Sequence, residues 1–154
     1  MRRKDKEIKD IEEIKSIIKE ATVCRIGLSN NNIPYVVPVN FGYKNNCLYI
    51  HSALEGRKIE TIKKNNNVCF EIDIDHELLI SEIPCKSSMK YRSVIGFGKA
   101  FLIDDLKEKR EALNIIMEHY SIGDSHEYIE KLTNKVSIIK VEIESMTGKK
   151  SGYI

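Results

Sequence analysis

Residues 33–43, IPYVVPVNFGY, constrain this chain more than any other stretch. Ile33, Tyr35, Val37, Val39, Phe41 and Tyr43 fall on one face, with Pro34, Val36, Pro38, Asn40 and Gly42 on the other. A period of two marks a strand with one side on a core. The prolines add a second condition. Proline has no N–H for a ladder, so the strand must lie at a sheet edge along part of its length.

The neighbouring segments build outward from that strand. Lys44-Asn45-Asn46 predicts a hairpin turn, because asparagine tolerates positive φ, and Cys47–Ser52 returns as the partner strand. Upstream, Thr22–Leu28 reads as a strand closed by Ser29-Asn30-Asn31-Asn32. Before it, Ile8, Ile11, Ile14, Ile17 and Ile18 recur at helical spacing. Asp10 and Glu13 form a capping-box pattern, giving a helix over residues 10–20. Downstream, a short helix over 55–64 is anchored by Ile59 and Ile62, and Val68, Phe70, Ile72 and Ile74 mark another strand. Residues 75–88 have no clear period. KYRSVIGFGKAFLI (90–103) reads as a long strand whose Gly96 and Gly98 predict a bend or a close approach. Asp104 or Asp105 caps a helix to Tyr120 with Leu113, Ile116, Met117 and Tyr120 as its stripe. Ser125 caps a shorter helix holding Ile129 and Leu132, and Val136–Ile143 is the last strand.

Six strands joined mostly by short links predict a largely antiparallel, mainly β fold: a small barrel with flanking helices. The 154 residues suit one domain, 1–154, with residues 1–9 as a solvated, flexible tail. There is no internal repeat and no linker. Hydrophobic residues at 42% and charged residues at 31% describe a globular chain. The balance of 25 basic to 23 acidic residues leaves +2, which gives no argument for nucleic acid. Without an apolar run of membrane-spanning length or a signal-peptide core after Met1, the expected location is the cytoplasm, with no membrane partner. Cys24, Cys47, Cys69 and Cys85 form no C-x-x-C pair, so neither a metal site nor a disulfide framework is expected.

One short stretch is chemically odd. In LYIHSALEGRKIETIKKN (48–65) an apolar strand breaks at His51-Ser52-Ala53, and a helix begins at Gly56-Arg57-Lys58. A helix start already carries partial positive charge, so acidic residues are usual there. Two cations beside free amides and a glycine make a phosphate or carboxylate site; exposed surface lysine and arginine is the plainer alternative. His51 shares a face with Cys47 and Tyr49, pointing where a flat ligand above the helix start would lie. Arg92 and Ser93 offer polar groups on opposite sides of the long strand. His76, His119 and His126 lack metal-ligand spacing, and Asp73 with Asp75 read as a strand end in solvent. Neither G-x-G-x-x-G nor G-x-x-x-x-G-K-[ST] occurs.

PYVVPVNFGY, LYIHSALEGRK, KYRSVIGFGKA and the closing TGKK, in this order from about Arg3 to Lys150, resemble the nitroimidazole-resistance (Nim-like) branch of the pyridoxamine-phosphate-oxidase-related flavoproteins. The resemblance implies a split β-barrel, homodimeric, with FMN at the subunit interface. It implies that Gly56, Arg57 and Lys58 hold the FMN phosphate, and that Val39, Asn40, His51, Ser52 and Ala53 line the ribityl chain and ring. Tyr91, Arg92 and Ser93 would supply another wall, from the partner subunit. His51 stands where those relatives place a histidine beside the flavin, the candidate catalytic group. The chain departs from the pattern in having no tryptophan, with Met146 in the region where some relatives place one, and in stopping at Ile154.

Two functions from this resemblance stay open: an oxidoreductase passing electrons from NAD(P)H to a small, nitro-aromatic acceptor, and a non-catalytic flavin store or sensor. Haem or a deazaflavin in place of FMN are variants. An oligonucleotide-binding barrel is a third reading, opposed by the charge balance and by Tyr35, Phe41 and Tyr43 on the apolar face.

Overall fold

The computed structural model describes residues 3–121 and 128–153. Its strands are β1 (Glu7–Ile8), β2 (Cys24–Asn30), β3 (Ile33–Val39), β4 (Gly42–Lys44), β5 (Cys47–Ala53), β6 (Asn67–Leu79), β7 (Ser88–Ile103) and β8 (Val136–Ser151). The helices are α1 (Ile11–Glu20), α2 (Arg57–Lys64), α3 (Leu106–His119) and the one-turn α4 (Glu130–Thr133). All strands join one antiparallel sheet in the order β3-β2-β6-β7-β8-β5-β4, with β1 added to β8. No helix among the described residues is long and apolar enough to cross a membrane.

The prolines act as the alternation requires. β3 lies at one end of the order and pairs only with β2, with Pro38 opposite Arg25 and Pro34 opposite Ser29. β4 lies at the other end, and only Asn40 and Phe41 separate it from β3. One segment therefore supplies both edges of the sheet. Three Cα steps span at most about 10 Å, so the edges must come that close at this seam. The sheet curls to meet the seam without closing its ladder. It is a split barrel.

Asn-Asn pairs turn both short hairpins: Asn31 and Asn32 have φ of 50° and 62°, Asn45 and Asn46 of 52° and 60°. Inside the curl, Ile26, Phe41, Leu48, Ile50, Phe70, Ile72, Val94, Ile139 and Val141 are buried, and Ile14, Ile17 and Ile18 of α1 join the same core. At Gly96 a Cβ would meet the Phe70 ring, and at Gly98 the Glu142 carbonyl beside a register shift, so both glycines mark close approaches.

The differences from the sequence reading have local causes. Eight strands replace six because the seam divides residues 33–43 and because Glu7–Ile8 pairs with Gly148 and Lys149. Residues 3–9 are correspondingly not a free tail: Ile8 is buried and Lys6 donates to Ser151 Oγ at 2.7 Å. β6 and β7 run into the segment 75–88, where Glu77–Leu79 pairs with Ser88–Lys90 beyond a bulge. β8 passes Ile143 to Ser151, paired to β7 through Tyr91. Asp10 caps α1 by accepting from the Glu12 N–H, while Glu13 leaves the capping box to accept from Lys150 at 2.8 Å. Asp105 caps α3, whose buried positions are Lys109, Ala112 and Ile116 rather than the whole predicted stripe. The Ser125 cap and His126 lie outside the described residues. Ile129 and Leu132, expected as anchors, are exposed.

α3 packs on the seam so closely that a Cβ on Gly42 would lie 2.6 Å from the Ile115 carbonyl oxygen and 2.7 Å from the Ile116 nitrogen. Helix backbone cannot move aside as a side chain can. Gly42→Ala is expected to destabilise the fold by about 1–3 kcal/mol, read as a lower urea midpoint at unchanged m value.

Candidate functional site

β3, β5 and α2 converge at one corner of the barrel. β5 pairs along β8 up to Ser52 with Ser137 and Ala53 with Val136, then leaves the sheet through three exposed residues into α2. On its other side β5 pairs with β4, Gly42 opposite Tyr49. Asn40, two residues before Gly42, is exposed, whereas Val39 pairs with Cys24 on β2 and its side chain is buried in the core. Leu48 and Ile50 face the core, so His51, two residues beyond Tyr49, projects outward and is exposed.

α2 is seated by Ile59 and Ile62, both buried, and by the Asn65 amide donating to the Ser29 carbonyl at 2.9 Å. Its N-cap is Gly56, at φ 121° and ψ 170°, a conformation that side chains rarely adopt. No side chain caps the helix, and nothing lies within 4 Å of where a Gly56 Cβ would be. No side chain takes up the first-turn amides. Arg57 lays its guanidinium over the Tyr35 ring, 4.5 Å from the centroid, which ties the helix start to β3. A cavity of about 260 Å³ lies between these elements, lined by Ile33, Tyr35, Arg57 and Thr61 among others.

The electrostatics of this corner rest on Lys58 more than on the lack of ion pairs, which most described lysines and arginines share. Among the described residues neither Arg57 nor Lys58 has an ion-pair partner. Glu60, the nearby acid, pairs instead with Lys63 at 3.2 Å. Burial pushes the Lys58 ammonium pKa down, with no carboxylate to offset it. A half-buried cation above bare amides is a place where a multiply charged anion gains from every contact.

Tyr91, Arg92 and Ser93 stand elsewhere in the same chain. They pair with Ser151, Lys150 and Lys149 at the far end of β8, whereas His51 pairs with Ile138. Twelve residues of strand separate the two places, about 40 Å of contour at roughly 3.3 Å per residue. Arg92 is also occupied: it donates to Asp75 at 2.5 Å and Glu20 at 2.6 Å, and Tyr153 donates to Asp75 at 2.6 Å. Within one chain, His51, Ser52 and Ala53 end β5 just before Gly56, Arg57 and Lys58, Val39 and Asn40 lie at the end of β3, and the β7 trio lies far from His51 along β8.

The sequence reading missed two residues at this corner. His119 Nε2 lies 2.7 Å from the Ala21 carbonyl, and the Tyr120 hydroxyl reaches the seam itself. Tyr120 counted only as part of an apolar stripe; a tyrosine at a helix end, with a polar tip, was the available signal.

The fold is a split barrel with flanking helices. The profile described as pyridoxamine 5'-phosphate oxidase matches residues 10–150. No curated protein matches. Among solved structures, a candidate 5-nitroimidazole antibiotic resistance protein of Bacteroides thetaiotaomicron is 43% identical, with TM-score 0.83, covering 93% of this chain and 85% of that one. Flavocytochrome Anf3 of Azotobacter vinelandii (21% identity, TM-score 0.87, 99% of this chain and 72% of that) shares the fold. So does an FAD- and heme-binding protein of Mycobacterium smegmatis (17%, 0.87, 96% and 74%). The chain belongs to the pyridoxamine 5'-phosphate oxidase-related family and groups with its nitroimidazole-resistance branch.

The Arg92 cluster makes a pH prediction separate from the corner. The Asp75 carboxyl is held below its ordinary pKa by the Tyr153 hydroxyl and by Arg92, and Glu20 by Ser16 and Arg92. Depressed carboxyls stabilise the fold above their unfolded pKa, near 4, and lose that contribution as pH falls. Arg92→Ala should lower the urea midpoint at pH 7, with the gap to wild type narrowing as pH drops from about 5 to about 3. A gap that stays constant over that range would remove Arg92 as the source of the shifts.

Proposed function

We propose that this protein binds FMN at the corner described above and works as a homodimeric oxidoreductase on a small acceptor. The observation that carries the reading is the pair Arg57 and Lys58, unmatched by any carboxylate among the described residues, over the uncapped start of α2. FMN ends in a phosphate dianion, which would meet both cations and the first-turn amides. The open space over Gly56 lets an anion approach the backbone. Asn40 and Ser52 would offer polar groups for the ribityl chain, while the Val39 side chain, expected to line the site, is buried in the core. The names of the relatives support the reading, since they include a flavocytochrome and a protein binding FAD and heme.

Bound flavin supplies hydride and electron transfer, and the protein supplies binding and orientation. His51 is exposed on the outer side of β5, where it can hydrogen-bond an acceptor laid against the ring. A neutral imidazole can both donate and accept a hydrogen bond, which suits orienting an acceptor. A reduced nicotinamide is the proposed donor. The Bacteroides relative supports a nitro-aromatic acceptor.

A second copy completes the pocket in this reading. The outer wall that Tyr91 and Ser93 would provide is out of reach within one chain. The same strands carry exposed apolar side chains, including Phe97 at 55% and Ile95 at 47%, with Leu78, Ile80 and Met89 on the β6–β7 extension. Such a surface fits burial against another copy.

The first test is the visible spectrum of the purified protein after incubation with FMN: flavin bands that stay with the protein support the reading, and a Soret band alone would replace flavin with haem. Arg57→Ala combined with Lys58→Ala should weaken FMN binding about 100-fold or more, with the fold retained, since each lost charge-assisted contact is worth about a factor of ten or more. Unchanged affinity in that double variant would refute the phosphate assignment. His51→Ala should reduce turnover with NADH and a nitro-aromatic acceptor more than FMN affinity; equal losses would count against its role at the acceptor.

A further inference from the structure

We infer that Tyr120 is a positioning residue of this site, fixing the seam so that Asn40 faces the ligand corner; the inference rests on the FMN reading. The Tyr120 hydroxyl accepts from the Phe41 N–H at 3.1 Å and from Asn40 Nδ2 at 3.4 Å, and donates to the Thr22 carbonyl at 2.8 Å. One hydroxyl has one proton and two lone pairs, and all three are used. Asn40 and Phe41 belong to neither ladder, so this hydroxyl takes over a hydrogen bond that a strand partner would otherwise provide.

The rest of the α3 end holds the same two residues from other directions. The His119 ring sits 4.4 Å from the Phe41 ring and 5.0 Å from that of Tyr120, while its Nε2 meets the Ala21 carbonyl. The backbone of Ile115 and Ile116 bears on Gly42. These contacts place the seam as a whole. Among the described residues, Tyr120 makes the side-chain hydrogen bond to Asn40, which is exposed and would face the ligand in the FMN reading. Without the hydroxyl, the Asn40 amide loses its restraint and the Phe41 N–H its acceptor, while ring packing survives.

The experiment compares wild type, Tyr120→Phe, Asn40→Ala and the double variant, each titrated with FMN and recorded by visible circular dichroism of the bound flavin. Tyr120→Phe keeps the aromatic ring, and far-ultraviolet circular dichroism on the same samples checks that the fold is intact. The expected result is FMN binding about tenfold weaker in Tyr120→Phe, an altered visible dichroism band, and a double variant no weaker than the weaker single. Wild-type affinity and an unchanged band in Tyr120→Phe would overturn the positioning role while leaving the FMN reading in place, as would strictly additive losses in the double variant. Absence of FMN binding by wild type itself would overturn both.

Discussion

The structure depends on a covalent constraint: one segment of twelve residues, Ile33–Lys44, forms both edges of the sheet. A free sheet could twist to any extent its side chains allow. Here the edges are tethered across Asn40 and Phe41, so the curl has a fixed end point. The prolines keep the β3 edge from recruiting a neighbour, and α3 covers the β4 end. Phe41, wholly buried, carries the tether into the core. The seam is also where backbone leaves the ladder. The polar groups released there are taken up by the Tyr120 hydroxyl, which accepts from the Phe41 N–H and the Asn40 amide.

A near-neutral net charge conceals a local imbalance. Arg25 is shared by Glu71 and Asp73, Arg92 by Glu20 and Asp75, and Arg3 by Asp5. Exposed pairs of this kind contribute little stability each. They do, however, leave little field for an external anion. Arg57 differs by stacking on Tyr35 instead of pairing, and Lys58 by lying half-buried without a counter-charge. Most described lysines and arginines likewise form no ion pair, and Lys149 stacks on Tyr91 as Arg57 does on Tyr35, so what sets the corner apart is the downward push of burial on the Lys58 pKa.

Much of this was legible from side-chain periodicity. The edge position of β3, both Asn-Asn hairpins and a helix after β5, starting at Arg57 where the pattern put it near Glu55, all follow from local pattern and turn chemistry. The seam was not, because Phe41 and Tyr43 continue the inward phase of Tyr35, Val37 and Val39 unbroken. A change of sheet partner leaves no mark on a period of two. Residues 75–79 and 88–90 were unreadable for another reason: pairs such as Lys90 with Glu77 hold them, and Asp75 turns the strand at φ 61°, so no apolar alternation records the ladder. The trio Tyr91–Ser93 was assigned by resemblance, and its place on β8 depends on sixteen residues of pairing that no local pattern encodes.

The corner itself is built from parts that are weak in isolation. The Gly56-Arg57-Lys58 sequence fixes a charge but no position, since an eight-residue helix is marginal in water. Position comes from three non-local attachments: Ala53 on Val136, Ile59 and Ile62 in the core, and Asn65 on Ser29. Opposite them, the seam is set by α3, more than sixty residues later in the chain. The distance between the cations and Asn40 is therefore determined by the packing of the whole barrel, not by any motif. A ligand spanning that distance reads the fold as a ruler, and a lengthened or loosened barrel would keep every motif residue and still misplace one end of the ligand.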